Sequence, residues 1–336
     1  MKLPEWPGFN RIYFGPLLAA GVDEKKTVDF SVVLCTYNRA ASLRRVLESF
    51  SQLTLPSDLD WELLVVDNNS NDNTLEVAQD FAKTAKYNVR YVFEGRQGRS
   101  AALNAGVAAA RGDIIAFTDD DVILHPGWLL SLKRTFDEFD CAAVAGRIIP
   151  VWSRPKPDWL EMEQQQAVVK LELGDKPKQV EDDPPLGANS AFRKEMFERY
   201  GLFWLDLGVS GENHGITCED TEFASRLFRA GEKIMYAPTA IVYHPVDPRR
   251  STKAYFLRWY YNAGRSMVRA WPPAENVVCY FGVPRWVFGS LVRNMTKWAF
   301  SFIEKKRFHH KLRTYMDVGR ITESYRNRRK ARARML

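Results

Sequence analysis

Residues 117–122 read Phe-Thr-Asp-Asp-Asp-Val and close an apolar run that begins at Asp113. Such a run is typical of a buried strand. Alternate residues of a strand face the same way, so Asp119 and Asp121 are expected to point together while Asp120 points away. Two carboxylates at one strand end suit a hard cation such as Mg²⁺ or Mn²⁺. An acidic surface turn is the alternative, and the rest of the chain decides between the two interpretations.

Strand-like runs alternate with amphipathic helical stretches before this point. The runs cover residues 30–36, 61–66, 89–93 and 113–118. This alternation predicts an α/β fold with a mostly parallel sheet and helices on both faces. Ligands bind such sheets beyond the carboxyl ends of the strands, and each of these four ends is followed by polar residues. The sequence holds neither of the standard glycine-rich phosphate loops, so a nucleotide would be held by side chains and a metal.

The composition is typical of a globular protein, with 336 residues of which 46% are hydrophobic. Four cysteines lie far apart without a Cys-x-x-Cys pair: Cys35, Cys141, Cys218 and Cys279. This pattern indicates reduced thiols in a cytosolic setting rather than a disulfide framework or a zinc site. No apolar run reaches the roughly 18 residues of a membrane span. We therefore expect a cytoplasmic protein.

Positive charge is concentrated near the C-terminus. From Phe281 onward there are fifteen Lys and Arg against three acids, which leaves the first 280 residues net negative although the whole chain is +7. Between Val283 and Ile303, apolar and aromatic residues recur at helical spacing with basic residues among them. Such a helix lies in a membrane interface or packs on the body, and the sequence leaves both open. An anionic membrane surface on the inner face is thus a candidate partner, whereas nucleic acid is not expected to bind the acidic body.

Five separated blocks carry a resemblance to a known family. They read SVVLCTYNR at 31–39, VVDNNS at 65–70, GRSAALN at 98–104, FTDDD at 117–121 and CED at 218–220. In this order and spacing they resemble the family 2 glycosyltransferases with the GT-A fold. The resemblance covers residues 30–264, with a nucleotide-binding half at 30–122 and an acceptor and donor-sugar half at 123–264. An N-terminal arm (1–29) and a basic amphipathic helical segment (265–336) flank this domain.

The resemblance implies a role for particular residues in binding the donor. Nucleotide contacts are expected from six residues: Thr36, Tyr37, Asp67, Arg99, Asp119 and Asp120. Tyr37 would lie against the base, and Asp67 would accept a hydrogen bond from it. Asn189 would line the donor-sugar pocket.

The resemblance also implies the catalytic and metal-binding groups. Asp121 and His244 would bind Mn²⁺ or Mg²⁺, although the triple aspartate leaves open whether Asp120 or Asp121 is the main ligand. Asp220 would act as the general base and Glu219 would orient it. The alternative for this acidic pair is a helix start favoured by the helix dipole.

The expected activity is transfer of a sugar from a nucleotide diphosphate sugar, UDP-linked by preference, to an acceptor hydroxyl with inversion. The acceptor would belong to polysaccharide or lipid-linked glycan synthesis. A sugar nucleotidyltransferase is one rival, but it would normally carry a Gly-rich basic loop after the first strand, unlike residues 36–39. A non-catalytic basic scaffold is another, and the intact acidic residues Asp119, Asp121 and Asp220 argue against it.

Overall fold

The structure is a computed structural model that describes residues 28–160, 167–211, 215–274 and 276–333. The expected N-terminal arm, residues 1–29, falls outside these ranges apart from its last two residues. Those two residues already belong to the first strand.

Strands and helices alternate through the first half of the chain. The elements are β1 (Val28–Thr36), α1 (Ala40–Phe50), β2 (Trp61–Asp67), α2 (Thr74–Thr84), β3 (Asn88–Phe93), α3 (Arg99–Ala109), β4 (Gly112–Asp119), β5 (Ile123–Leu124), α4 (Trp128–Glu138) and β6 (Ala143–Trp152). The second half ends in three long helices. Its elements are β7 (Lys178–Gln179), β8 (Asn189–Arg193), α5 (Glu195–Tyr200), α6 (Glu219–Arg229), β9 (Ile234–Val246), α7 (Lys253–Ala270), β10 (Cys279–Tyr280), β11 (Val283–Pro284), α8 (Arg285–Phe300) and α9 (Glu304–Ala333).

One mixed sheet organises the body of the protein, with strand order β3-β2-β1-β4-β8-β6-β9-β5 and β7 paired on β9. Strands β1 to β4 run parallel, as do β6 and β9. Strand β8 runs antiparallel between β4 and β6. The predicted α/β architecture with a mostly parallel sheet is confirmed. Because β1, β2 and β4 are parallel neighbours, their carboxyl ends meet at one edge.

Both faces of this sheet are covered, which explains the continuous apolar runs in its strands. In β1, Val32 and Leu34 pack into one hydrophobic core and Val33 into the other. In β4, Phe117 packs edge-on against Phe192 with ring centroids 6.0 Å apart. The apolar strand anchored in this way ends at the aspartates, so the core positions the acidic turn.

The C-terminal helices form a tightly packed unit. A Cβ added at Gly264 of α7 would lie 2.0 Å from the Met316 carbonyl oxygen, and one added at Gly319 of α9 would lie 2.0 Å from the Tyr261 carbonyl oxygen. The two helix backbones therefore touch through reciprocal glycines. The expected boundary at residue 264 falls within α7, which runs from Lys253 to Ala270.

No helix in the described part of the chain is long and apolar enough to cross a membrane.

Candidate active site

The loops that follow β1 and β2 are tied to each other at the carboxyl edge of the sheet. The Asn38 amide donates to Ser70 Oγ at 2.9 Å, and the Asn71 amide donates to Asn38 Oδ1 at 2.7 Å. Asn38 and Asn69 adopt left-handed backbone conformations, with φ of 50° and 65°. Asparagine tolerates this region better than most residues. The Tyr-Asn-Arg and Asp-Asn-Asn stretches therefore form turns that hold the ends of β1 and β2 together.

Three potential metal ligands come together at the end of β4. One ligand atom from each of Asp119, Asp121 and His244 lies within 4.8 Å of the others. Strand pairing explains the distant histidine, because Ile123 of β5 pairs with Tyr243 of β9 and so brings His244 beside the acidic turn. His244 Nε2 lies 3.6 Å from Asp121 Oδ1.

This donor set fits a divalent cation. Carboxylate oxygens suit Mg²⁺ and Mn²⁺, and an imidazole nitrogen favours a transition metal. His244 is buried, and its Nδ1 has no hydrogen-bond partner among the residues that the structure describes. The other ring nitrogen, Nε2, faces Asp121 and is the atom available to a cation.

Asp120 is not part of this group; β4 ends at Asp119, so a turn rather than strand alternation sets its direction. Its Oδ2 accepts a hydrogen bond from the Thr36 hydroxyl at 2.7 Å, and its Oδ1 lies 2.9 Å from Arg39 Nη1. Burial, reinforced by neighbouring Asp121, raises the pKa of Asp120 to about 6. Asp121 rather than Asp120 therefore lies in the metal-compatible group. The nucleotide contacts expected of Thr36 and Asp120 stay predictions, since here the two side chains bond each other.

Two arginines beside the acidic turn were not predicted as site residues. Arg39 Nη1 lies 2.9 Å from Asp121 Oδ2 as well as from Asp120, and Arg250 Nη2 lies 3.8 Å from Asp121 Oδ2. Burial disfavours ionisation of Asp121, but His244 and Arg39 outweigh it and lower the pKa of Asp121. Arg39 belongs to the first sequence block, so the sequence could have indicated it as a site residue. Nothing in the sequence around Arg250 indicates that it lies near this site.

Arg99 joins this acidic turn to the start of α6. Its Nη2 lies 2.6 Å from Asp119 Oδ1, and its Nε lies 2.8 Å from Glu219 Oε1. Burial, with Asp220 adjacent, raises the pKa of Glu219 to about 7. Cys218 precedes the helix in a left-handed conformation with φ of 79°, a strained position for a residue with a side chain. The Cys-Glu-Asp stretch is thus fixed against the metal-compatible group.

Asp220 is held by backbone amides. Its Oδ2 accepts from the Gly187 amide at 2.9 Å and its Oδ1 from the Thr221 amide at 2.7 Å. The side chain keeps partial exposure to solvent. Two amide hydrogen bonds fix the carboxylate in one orientation while leaving lone pairs for a further partner.

Asp67 and Tyr37 occupy neighbouring strand ends. Asp67 Oδ2 accepts from the Tyr91 hydroxyl at 2.7 Å, and its Oδ1 accepts from the Ser70 amide at 2.9 Å. Tyr37 is 45% exposed beside it. An exposed aromatic ring next to a buried, fixed carboxylate is an arrangement that can stack on and recognise a base.

Asn189 is placed differently. Its side chain is completely buried, and Trp128 Nε1 donates to its Oδ1 at 2.8 Å. Its amide nitrogen donates to the carbonyls of Arg147 and Ala240 at 2.9 and 2.8 Å. Gly146 makes room for it, because a Cβ there would lie 2.2 Å from the amide. The donor-sugar role predicted for Asn189 gains no support, since both ends of its amide are engaged within the protein.

Solved structures with a similar architecture identify the fold. The mannosyltransferase PcManGT from Pyrobaculum calidifontis, in complex with GDP-Man and Mn²⁺, matches with a TM-score of 0.59 and 19% identity over 88% of this chain and 87% of that chain. GalNAc-T7 with UDP, GalNAc and Mn²⁺ matches with a TM-score of 0.55 and 16% identity over 88% of this chain and 57% of its own. The expected GT-A glycosyltransferase fold is confirmed.

The sequence then gives the family. The model of glycosyl transferase family 2 matches residues 31–201, half of the chain, and the chain belongs to this family. Succinoglycan biosynthesis protein ExoM of Rhizobium meliloti is 25% identical over 72% of this chain and 74% of its own. Glucosyl-dolichyl phosphate glucuronosyltransferase of Haloferax volcanii is 28% identical over 66% of this chain and 70% of its own. The chain is a glycosyltransferase of glycan synthesis.

Proposed function

We propose that this glycosyltransferase is metal-dependent and inverting, and that it takes its sugar from a nucleoside diphosphate donor. The observation that carries the proposal is the group of Asp119, Asp121 and His244, joined through Arg99 to the acidic start of α6. Two neighbours with this fold, one in complex with GDP-Man and Mn²⁺ and one with UDP, GalNAc and Mn²⁺, support a nucleotide and a divalent cation as ligands.

The cation would be held by Asp121 and His244, with Asp119 beside them. When bound, a divalent cation neutralises negative charge that grows on a leaving diphosphate. The imidazole in the donor set favours Mn²⁺ over Mg²⁺. Arg39 and Arg250, which contact Asp121 in this structure, are placed to add positive charge toward the same phosphates.

The nucleoside would be recognised by Tyr37 and Asp67. The exposed ring of Tyr37 would stack on the base, and Asp67 would accept a hydrogen bond from a ring N–H, as uracil offers. Among the fold neighbours, one holds GDP-Man and another UDP. UDP is the donor nucleotide we propose, and guanine is the alternative against which it should be measured.

Chemistry would run as a single displacement. The acceptor hydroxyl gives its proton to Asp220 while its oxygen bonds to the anomeric carbon, and the bond from that carbon to the diphosphate oxygen breaks. Attack from the face opposite the leaving group inverts the anomeric configuration. The amides of Gly187 and Thr221 would hold Asp220 in the orientation needed.

The acceptor we propose is a hydroxyl of a growing glycan or of a lipid-linked sugar. The relatives support this, because one is described as a succinoglycan biosynthesis protein and another as a transferase acting on glucosyl-dolichyl phosphate.

Titration calorimetry tests the proposed donor and metal. UDP should bind with Mn²⁺ and lose at least tenfold in affinity in EDTA, with GDP binding more weakly. Asp121→Ala should lose the Mn²⁺ effect, whereas Asp137→Ala, on the exposed face of α4, should keep it. UDP affinity that is equal with Mn²⁺ and with EDTA would refute metal dependence, and an unchanged Mn²⁺ effect in Asp121→Ala would refute this ligand assignment.

A further inference from the structure

Helix α8 buries two polar side chains against α9 while large apolar side chains at its end stay exposed. Its buried residues are Val287, Ser290 and Asn294, and the last two donate to Asp317 Oδ2 of α9 at 2.8 and 2.9 Å. A surface helix normally buries an apolar stripe and exposes its polar side. The packing of α8 uses Val287 but leaves Phe300, Phe302 and Ile303 exposed.

Those apolar side chains lie where α8 ends and α9 begins. This exposed set, which we call the α8 face, comprises Phe300, Phe302 and Ile303. Phe302 is fully exposed and Phe300 is 74% exposed. Single exposed apolar residues are common, but three large apolar side chains exposed within four residues mark a candidate binding surface.

The charge around the α8 face has one sign. Exposed basic residues lie on α8 and on the start of α9: Arg285, Arg293, Lys297, Lys305, Lys306 and Arg307. The acids of this segment are all paired with basic side chains, since Glu304 bonds Lys253, Asp317 lies by Arg320, and Glu323 lies by Arg265. The exposed apolar residues of the α8 face are therefore flanked in sequence by basic residues on both sides.

We propose that the α8 face docks this protein on an anionic lipid bilayer. An apolar helix face flanked by Lys and Arg is the arrangement that lies in the headgroup region, with the basic side chains reaching the lipid phosphates. The described helices include none that crosses the membrane, so the attachment is peripheral. It goes beyond the proposed activity, because donor binding and catalysis use residues on other elements.

Charge distinguishes this occupant from the others. A two-fold contact between copies would set the α8 face against itself, and the like charges that flank it would repel. Nucleic acid would match the charge, but it offers nothing that rewards burial of Phe300 and Phe302. An anionic bilayer satisfies both parts of the surface.

The test is co-sedimentation of the full chain with vesicles of phosphatidylcholine, with and without phosphatidylglycerol, at low and high salt. The wild type should bind the anionic vesicles at low salt and less at high salt, because salt screens surface attraction. Phe300→Ser/Phe302→Ser should lower binding at least tenfold, and Arg293→Glu/Lys297→Glu should do the same. Leu75→Ser and Lys86→Glu, exposed changes on the body, should bind as the wild type does.

Four results would overturn the proposal. They are wild-type binding by the phenylalanine variant, equal binding to neutral and anionic vesicles, a vesicle-free dimer that the phenylalanine variant dissociates, and binding to a DNA duplex in place of vesicles. Circular dichroism melts of each variant exclude misfolding as the cause of lost binding. UDP binding with Mn²⁺ should be unchanged in all these variants, which separates failure of the docking proposal from failure of the proposed activity.

Discussion

The candidate active site and the C-terminal helices both bury arginine and glutamate, but in opposite proportions. At the candidate site one arginine, Arg99, contacts two acids, Asp119 and Glu219. In the helical unit one acid, Glu323, receives two arginines, Arg265 at 2.9 Å and Arg269 at 2.7 Å.

The pKa values follow these proportions. Burial raises the pKa of Glu219 to about 7, with neighbouring Asp220 adding to the effect. Burial works in the same direction at Glu323, but there the hydrogen bonds and charges of Arg265 and Arg269 outweigh it and lower the pKa. An acid-rich cluster is short of positive charge and suits a site that receives a cation. A cluster whose acid is fully paired suits a joint between helices.

Removing the charge of Asp220 should have the largest effect, and it should fall on the reaction rather than on binding. Asp220→Asn cannot accept the acceptor proton, so kcat should fall by about 10²- to 10⁴-fold. Its amide can keep only one of the two backbone hydrogen bonds, which costs about 1 kcal/mol of stability. Steady-state kinetics measure kcat, a melting curve measures stability, and UDP calorimetry measures donor binding. Turnover near that of the control Asp137→Asn would show that another group is the base.

Removing the charge of Glu323 should destabilise the fold. Glu323→Gln leaves Arg265 and Arg269 buried without a countercharge, and loss of one partner of a buried pair costs about 3–5 kcal/mol. Urea unfolding should show this decrease. Glu304→Gln is the matched control, because Glu304 also links α9 to α7, through Lys253, but is exposed, and such pairs contribute about 0–1 kcal/mol. Equal stability of the two variants would mean that the C-terminal cluster is not a structural joint.

Removing the charge of Glu219 should, by contrast, increase the stability of the fold at high pH. The folded-state pKa of about 7 lies above the ordinary 4.5, so the folded protein holds the proton more tightly and loses stability as pH rises through this window. Glu219→Gln should therefore be more stable than the wild type by about 2–3 kcal/mol at pH 8 and equal to it near pH 4.5.

Urea unfolding in EDTA at both pH values checks this, with exposed Glu48→Gln as the control. A Glu219→Gln variant that is less stable than the wild type at pH 8 would mean that the Glu219 cluster stabilises the fold, as the Glu323 cluster does. The contrast between the two regions would then be wrong.

Much of the fold was predictable because its signals are local. The strand runs ending at Thr36, Asp67 and Asp119 are each apolar, short and followed by polar residues, and the helices between them have clear periodicity. Strand β8 was not predicted, because a five-residue antiparallel strand inserted between β4 and β6 has no periodic pattern of its own. Strand β9 runs without a break from Ile234 to Val246 although its register against β6 shifts between Gly146 and Arg147.

The site was predictable where sequence neighbours carry it. The acidic run of Asp119, Asp120 and Asp121 was visible in the sequence, but β4 ends at Asp119, and it is the turn after it that leaves Asp120 out of the metal-compatible group. The partners that reach the site through space were harder. Arg250 lies near Asp121 because β9, which precedes it, pairs with β5. Asn189 is buried and accepts a hydrogen bond from Trp128. Neither contact can be predicted from the spacing of residues along the chain.

By itself the sequence determined the class of fold, the acidic strand end and the basic, aromatic character of the C-terminal helix, because each follows from the spacing of residues near one another in the chain. Only the tertiary structure decided which carboxylates share a cation site, how many arginines meet each buried acid and which side of α8 faces outward. Those outcomes depend on contacts between segments far apart in sequence. A helix with polar and apolar residues on different sides is ambiguous until its partner is known, and the buried Asp317 of α9 resolves it here.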